Sequence, residues 1–582
     1  MLLNGLDWLA IGAFFAVLAA IPLLAARKAK GTSGDFFLSG RSMPWWLIGF
    51  SMVAATTATD SANLFTEIIR RDGMSGNWFL WAFILTGLLT VFVYAKLWVR
   101  SGVSTDIEFY ELRYAGRPAA FLRGFRALYL GVLFNVLVMG NVMLAAIKIA
   151  VVMFGIDAST VLWVTAVSSV VYAAFGGIRG IVYTDFFLFL VILLGAVVAM
   201  VYAVGDPAVG GFSAMMAHPA VASRLSFLPD FSDTDALMAC FVIPLAVQWW
   251  TVWKAGSEPG GGGYIVQRMI TAKSENHALG GTLFFNVLNW VVRPWPWYIV
   301  AFASVIVFPD LESIRRAFPK VDPALVGGDM AYPAMLTKVP NGWLGVVAAS
   351  MMGALFSTVA AHLNMGSAYI VNDFWKRFVR KGASDRECIL VARLSLVLLL
   401  VLACLLAPHL TSAKAAFDLM FLVGAGTGPV FLLRWFWMRI NAWSEVAAMV
   451  ASFLGAVAMM FVWPALGLAP LAPWQRMCAV IAFTSVAWVA TTFLTRPVAA
   501  SVTDAFRAKV RARGRDVGRG LVQTALAVTG VFASLFAAGH FVYGHLARGL
   551  VFSLVVAAAF VVLYLLRDRA GLKPHKKLFE NP

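Results

Sequence analysis

Three stretches of an otherwise apolar chain hold side chains that could do chemistry, and in each the chemistry is binding rather than bond making. The first, FSMVAATTATDSANLFTE at 50–67, sets Thr56, Thr57, Thr59, Asp60, Ser61 and Asn63 behind a pair of alanines. Such a run of small and hydroxylated residues makes a poor lipid-facing helix. It suits local unwinding, where freed carbonyl oxygens can coordinate a cation. Packing between helices is the alternative, since small residues serve that too; Asp60 favours a site. The second stretch, ASMMGALFSTVAAHLNMGSAYIVND at 349–373, puts Ala354, Ser357 and Thr358 within about one helical turn, so that their oxygens can converge on one point of a facing helix. Sodium, a small hard cation, takes neutral or anionic oxygen ligands of this kind. His362 nearby is either a ligand or proton carrier, or a packed hydrogen-bonding residue.

The third stretch, ALMACFVIPLAVQWWTVWKAG at 236–256, contains Pro244, Gln248, Trp249, Trp250 and Trp253. Proline frees a carbonyl within a helix. Amide and indole groups suit a polar organic ligand with an apolar face. Trp253 beside Lys254 also fits an aromatic belt at a membrane surface. GGIRGIVYTDFFLF at 176–189 adds Thr184 and Asp185; Asp185 either guards an ion exit path or pairs with a basic loop residue. Two glycine-rich runs carry no nucleotide chemistry. GAGTG at 424–428 lacks a strand–turn–helix context and reads as flexibility or close packing, and Gly260 to Gly263 lack the Lys and Ser/Thr of a phosphate loop. No HExxH, Ser/His/Asp arrangement or carboxylate pair supports an enzyme. Cys240, Cys388, Cys404 and Cys478 stand singly and make neither a disulfide framework nor a zinc site.

The elements that must position these groups are membrane helices. Of 582 residues, 61% are hydrophobic and only 13% charged, far below what soluble domains need to cover their surface. Apolar stretches of about 17 or more residues lie near 6–26, 44–69, 76–98, 120–154, 159–175, 179–203, 235–253, 279–308, 342–370, 388–408, 413–435, 443–463, 474–494, 520–544 and 548–566. They are numbered spans 1 to 15 below. Span 1 has no Lys or Arg before it and a basic cluster after it, the reverse of a cleaved signal peptide. It reads as a retained span with its N-terminus outside.

With alternating loops, 34 of the 46 Lys and Arg residues fall on the inner side and 10 on the outer, leaving Lys148 and Arg293 inside spans. Inner clusters include Arg27, Lys28, Lys30 and Arg41; Lys376 to Arg386; and Arg507 to Arg519. This positive-inside asymmetry puts the C-terminus in the cytoplasm of a cell whose inner membrane the protein crosses. The net charge of +17 therefore records orientation, and a nucleic-acid partner loses its motivation. The stretch from Thr495 to Arg519 reads as a basic, partly amphipathic linker lying on lipid headgroups.

Several motifs in order resemble the sodium/solute symporter family, which includes sodium/sugar and sodium/proline cotransporters: DFFLSGRSMPWWLIGFSMVAATTATD, STDIEFYELRYAGR, GGIRGIVYTDFF, YIVQRMITAKS, MMGALFSTVAAHLNMGSAYIVNDFWKR and GPVFLLRWFWMRINAWSE. The resemblance runs from about Asp35 to Glu445. It implies an all-α polytopic fold of the LeuT type, a five-plus-five inverted repeat with extra N- and C-terminal helices. The first repeat would be 44–203 (spans 2 to 6) and the second 235–435 (spans 7 to 11). Residues 1–30 add one span, 443–566 add the last four, and 567–582 form a cytoplasmic tail. Spans 2 and 7 would be discontinuous, where the Thr/Asp run and Pro244 already point.

By position, the resemblance implies a sodium site made by the carbonyls of Ala54, Thr57 and Ala354 with the hydroxyls of Ser357 and Thr358. Asp185 matches a residue associated with sodium exit or a second sodium. Thr56, Asp60, Ser61, Gln248, Trp249 and Trp250 fall in regions that line the substrate cavity. The chain departs from the sugar-transporter pattern after Ser61, where Arg70 and Arg71 appear, and at WKAGSEPGGGG. The expectation is sodium-coupled uptake of a small polar organic solute, a sugar slightly favoured, with the bilayer as surroundings. Proton coupling through Asp60, Asp185 or His362 is the alternative. A transporter-like solute sensor is a third, weakened by the 16 residues after Leu566.

Overall fold

The structure is a computed structural model that describes residues 3–26, 41–103, 105–173, 178–254, 256–410, 412–511 and 514–566. Arg27, Lys28, Lys30, Arg513, the tail from 567 and the start of the DFFLSG motif lie outside the described residues. Ten helices among the described residues are long and apolar enough to cross a membrane, with shorter apolar helices at Gly5–Ile21, Trp45–Thr56 and Thr234–Ala246. Span 5 is the helix Ala158–Ala173, and span 11 is split into Ala413–Val423 and Gly428–Leu433. Each of the fifteen apolar stretches thus has its helix, because a segment surrounded by lipid must satisfy its own backbone.

Spans 3, 4, 8 and 9 are mostly enclosed by protein, whereas span 10 (Asp385–His409) and span 15 (Leu546–Leu565) leave most of their apolar surface outside. Leu394, Leu398 and Leu405 on span 10 and Leu554 on span 15 are exposed, the surface that acyl chains would cover.

Span 1 is anchored by a carboxylate. Asp7 Oδ1 accepts the backbone N–H groups of Gly342 (2.7 Å) and Gly345 (2.6 Å), capping the start of span 9, which runs Trp343–Val379. An anion there satisfies otherwise orphaned donors and faces the positive end of the helix dipole. A Cβ on Gly345 would meet the Asp7 backbone at 2.5 Å, so a larger residue would force the two spans apart.

Two quoted motifs, with Arg113 and Arg434 321 residues apart, form one buried lock. Arg113 Nε donates to the Arg434 carbonyl (2.7 Å), Tyr114 donates to Glu445 Oε1 (2.6 Å), and Arg434 pairs with Glu445 Oε2 (3.1 Å). The linker after Thr495 is a helix, Ala500–Val510, that docks Phe506 and Val510 onto this end of the protein. Phe506 meets Phe109 and Trp435, so one face of the linker is protein-covered.

Candidate functional site

Span 2 stops and restarts. Its first half, Trp45–Thr56, and second half, Thr59–Asp72, are separated by Thr57 and Ala58 in extended conformation. The local cause is side-chain competition for backbone groups. Thr56 and Thr57 hydroxyls bond back to the Met52 and Val53 carbonyls (2.7 Å each), while Ser61 Oγ accepts the Ala58 N–H (3.3 Å) and caps the second half. The gap presents the carbonyl end of one short helix, which favours a cation, and the N–H end of another, where Asp60 sits in the first turn.

Span 7 breaks in the matching place. Pro244 cannot donate to the Cys240 carbonyl, a π turn over Met238–Val242 precedes it, and the helix ends at Ala246. A single turn at Gln248–Trp250 follows, and regular helix resumes at Gly263–Ile270. Span 11 is shaped around this break. A Cβ on Gly424 would sit 1.6 Å from the Val252 carbonyl oxygen, and one on Gly428 would sit 1.8 Å from that of Trp250. GAGTG is therefore close packing against unwound backbone.

The facing surface of span 9 meets the span 2 gap directly. Thr358 Oγ1 donates to the Thr57 carbonyl at 3.2 Å, crossing between helices. Ser357 Oγ donates to Asp185 Oδ1 (3.2 Å), and Asp185 Oδ2 accepts from Ser51 Oγ (2.6 Å) and pairs with Arg268 (3.1 Å). Arg268, in the YIVQRM motif of the resumed span 7 helix, also donates to Ser51 Oγ (2.9 Å). All of these groups are buried. A serine that gives its proton to a carboxylate keeps its lone pairs for another partner. The cluster gathers carbonyl and hydroxyl oxygens, the ligand type that a hard monovalent cation takes.

Asp185 thus touches Ser357 and pairs with a basic residue that lies on a buried helix, Gly263–Ile270, rather than in a loop. His362 Nδ1 lies 2.6 Å from Asn135 Oδ1. Asn135 Nδ2 is already donating to Gly131 and His362 carbonyls, so its oxygen accepts and the Nδ1 of His362 carries the proton.

The residues expected to line a solute cavity differ in what they touch. Asp60 Oδ2 accepts from Asn141 Nδ2 (2.6 Å), and Thr56 Oγ1 lies 3.3 Å from the Tyr264 hydroxyl. Gln248 Nε2 donates to the Phe79 carbonyl (2.6 Å), and the Thr86 hydroxyl donates to the Trp249 carbonyl; these two contacts fix the span 7 break to span 3. Thr56, Ser61, Trp249 and Trp250 are partly exposed. Trp253 and Lys254 do not lie in an interfacial belt. Trp253 packs on Phe417 and Phe421 (5.1 and 5.5 Å), and Lys254 is 7% exposed beneath it. A Trp-Lys pair beside a broken helix has the same local pattern as one at a lipid interface, which is why the sequence misplaces it.

Sequence reasoning misses Ser51, Asn141, Lys254, Tyr264, Arg268 and Arg293 as members of the cluster. Arg293 carried the clearest signal, a cation deep in span 8. A π turn over Leu288–Val292 ends there, where Pro294 and Pro296 remove two helix donors. Arg293 Nη1 donates to Thr57 Oγ1 at 2.7 Å.

The two ends of the site differ. A cleft of about 1040 Å³ opens on the face bearing Gly73, walled by Asp72, Arg224, Asp233 and Asp418, and reaches Phe79 and Gln248. Phe79 and Phe421 stack at 4.8 Å beneath it. On the opposite face the WKAGSEPGGGG segment folds inward. Glu258 pairs with Arg126 (2.8 Å), both buried, and Trp98 donates to the Gly260 carbonyl (2.7 Å). Gly260 and Gly261, with φ of 87° and 95°, make the turn that brings this segment in.

Comparison with known proteins agrees with this architecture. The family model for the sodium:solute symporter family matches residues 36–455. The sodium/glucose cotransporter of Vibrio parahaemolyticus is 27% identical over 478 residues, covering 79% of this chain and 86% of the relative. Sodium/glucose cotransporter 1 of Oryctolagus cuniculus is 24% identical, covering 78% and 72%. A solved structure of a Na+-coupled sialic acid symporter in a substrate-bound outward-open state superposes with a TM-score of 0.64 at 19% identity, over 85% of this chain and 99% of that one. The fold is the LeuT-type arrangement. With a family match across most of its length and a broken helix facing a Ser-Thr pair in its interior, the chain belongs to the sodium:solute symporter family.

Proposed function

We propose that the protein carries sodium and a small polar organic solute inward together, binding the sodium between spans 2 and 9. Its ligands are the carbonyls of Ala54, Thr57 and Ala354 and the hydroxyls of Ser357 and Thr358. The observation that carries this reading is the 3.2 Å approach of Thr358 Oγ1 to the Thr57 carbonyl at the helix gap. A cation between them replaces that hydrogen bond with two ion–oxygen contacts. Ser357 keeps its proton on Asp185, and Arg268 neutralises Asp185. Sodium therefore binds oxygen dipoles, a neutral set that releases it more readily than a bare carboxylate. Asp185, next to Ser357, marks the exit path.

Thr56, Asp60, Ser61, Trp249 and Trp250 contact the solute, while Gln248, committed through its amide nitrogen, positions the break. The relatives named sodium/glucose cotransporters support a solute of sugar size. The N-terminus lies outside, the C-terminus lies in the cytoplasm, and the Gly73 face receives the solute. Sodium holds spans 2 and 9 together in that state, and its loss accompanies opening at the Glu258 face. Uptake into proteoliposomes under separately imposed sodium and proton gradients tests the coupling. Accumulation driven by sodium supports it; accumulation driven by protons and indifferent to sodium overturns it.

A further inference from the structure

The charges at the centre of the protein do not balance. Lys254 is 7% exposed, and its ammonium rests on the rings of Trp253 (4.5 Å) and Tyr264 (5.5 Å) with no hydrogen-bond acceptor and no carboxylate within ion-pair distance among the described residues. Arg293 is 5% exposed; its one hydrogen-bond partner is the neutral Thr57 hydroxyl, and its buried Nε has none.

Both cations converge on the span 2 gap. Arg293 reaches Thr57, and Tyr264, under Lys254, reaches Thr56. Both act on Asp60, which neither touches and whose Oδ2 is held by Asn141. Three other buried pairs do cancel: Asp185 with Arg268, Glu258 with Arg126, Lys148 with Asp329. Two cations against one anion leave this buried region positive, and a bound sodium adds a further charge. Unpaired charge in a low-dielectric interior is strongly unfavourable and draws a counter-ion. Ring faces offset only part of either charge, Trp253 and Tyr264 beneath Lys254 and Trp297 at 5.5 Å from the Arg293 guanidinium. A neutral sugar compensates neither.

We propose that the solute is a small organic anion, a carboxylate-bearing molecule whose charge is met by Lys254 and Arg293. This rests on the reading of the region around the two helix breaks as the solute site of a sodium symporter. The two broken helices then contribute in a complementary way. Asp60, at the start of the second half of span 2, takes hydroxyl donors of the solute; Lys254, within the span 7 break, takes its carboxylate. Glucuronate, galacturonate and other hydroxylated carboxylates fit that pairing.

The test uses matched pairs that differ by a carboxylate: glucuronate and glucose, galacturonate and galactose, lactate and 1,2-propanediol. Each is added to the purified protein at equal ionic strength in sodium or in choline, and the melting temperature is read. The expected result is stabilisation by at least one carboxylate in sodium and by none of the neutral partners at the same concentration. Lys254→Gln should weaken that carboxylate by roughly tenfold or more, with Lys254→Arg restoring most of it. Stabilisation by the neutral members, no response to any carboxylate at saturating sodium, or an unchanged response in Lys254→Gln each overturns the proposal. A carboxylate that binds equally in sodium and choline leaves the anion site standing and removes the sodium coupling. Sodium stabilisation with a neutral solute preferred does the reverse.

Discussion

The Thr358 hydroxyl and the Thr57 carbonyl meet at 3.2 Å across two helices that are 301 residues apart in sequence. Thr57 is the first residue past the end of the span 2 helix, so its carbonyl has left the regular ladder and is available to a partner. A hydroxyl and a freed carbonyl in contact are the oxygen pair on which the proposed sodium site is built.

Asp185 is expected to act on sodium through Ser357. Asp185→Asn removes the acceptor that holds the serine proton and leaves Arg268 buried and unpaired, a loss of about 3–5 kcal/mol in stability. Sodium binding should weaken along with it. Arg268→Gln leaves the opposite charge behind, so stability falls while sodium affinity is kept or raised. Melting curves across a sodium titration separate the two outcomes, and equal sodium responses in both variants would argue against the neutralising role given to Arg268.

Gly424→Ala and Gly428→Ala should each be severe for so small a change. The added methyl would overlap the Val252 or Trp250 carbonyl, and relief requires moving the span 7 break. Overpacking of this kind costs about 1–3 kcal/mol. Solute uptake should fall further than stability does, because the displaced backbone carries Trp250, Trp253 and Lys254. Wild-type uptake in either variant would mean that the break has slack the structure does not show.

Asp7→Ala tests the structural part of the account alone. It strips the cap from span 9 and should lower stability by about 1–2 kcal/mol. The sodium ligands lie more than two turns further along the same helix, so the sodium concentration giving half-maximal stabilisation should stay within a factor of about two. A large change in that concentration would show that the cap and the ion site are coupled through span 9.

Glu258→Gln leaves Arg126 buried without its ion pair and should favour opening of the face that this segment closes. Cysteines introduced on span 4 beside Arg126 in a background lacking the four native cysteines should label faster in the variant, and faster still in choline than in sodium. Identical labelling in the parent and the variant would remove the segment from any gating role.

Much of the arrangement was legible in the residues themselves. Lipid demands about 20 apolar residues per helix, so all fifteen spans could be placed within several residues. TTATDS announced the gap in span 2 because threonine hydroxyls compete for backbone carbonyls and serine caps a new start. What the sequence hides is who meets whom. Arg268 and Asp185 are 83 residues apart, and Arg293 and Thr57 are 236 apart. Nothing local to Asp185 says which basic residue neutralises it. GAGTG could be read as close packing, but its partner is the bare backbone of a broken helix, which no window around 424–428 contains. Trp253 and Lys254 show the limit most clearly, since aromatic and cationic neighbours mark a membrane surface and a buried helix break alike.

The central claim is that sodium binds between Thr57 and the Ser357–Thr358 pair. Its most direct test is the sodium-dependent rise in melting temperature, measured against choline, for the parent and for the Ser357→Ala, Thr358→Ala double variant. A ligand that binds only the folded state stabilises it in proportion to the logarithm of its saturation. The parent should rise with sodium concentration, and the double variant, folded by its melting transition in choline, should not respond. Equal stabilisation of both by sodium would contradict the account.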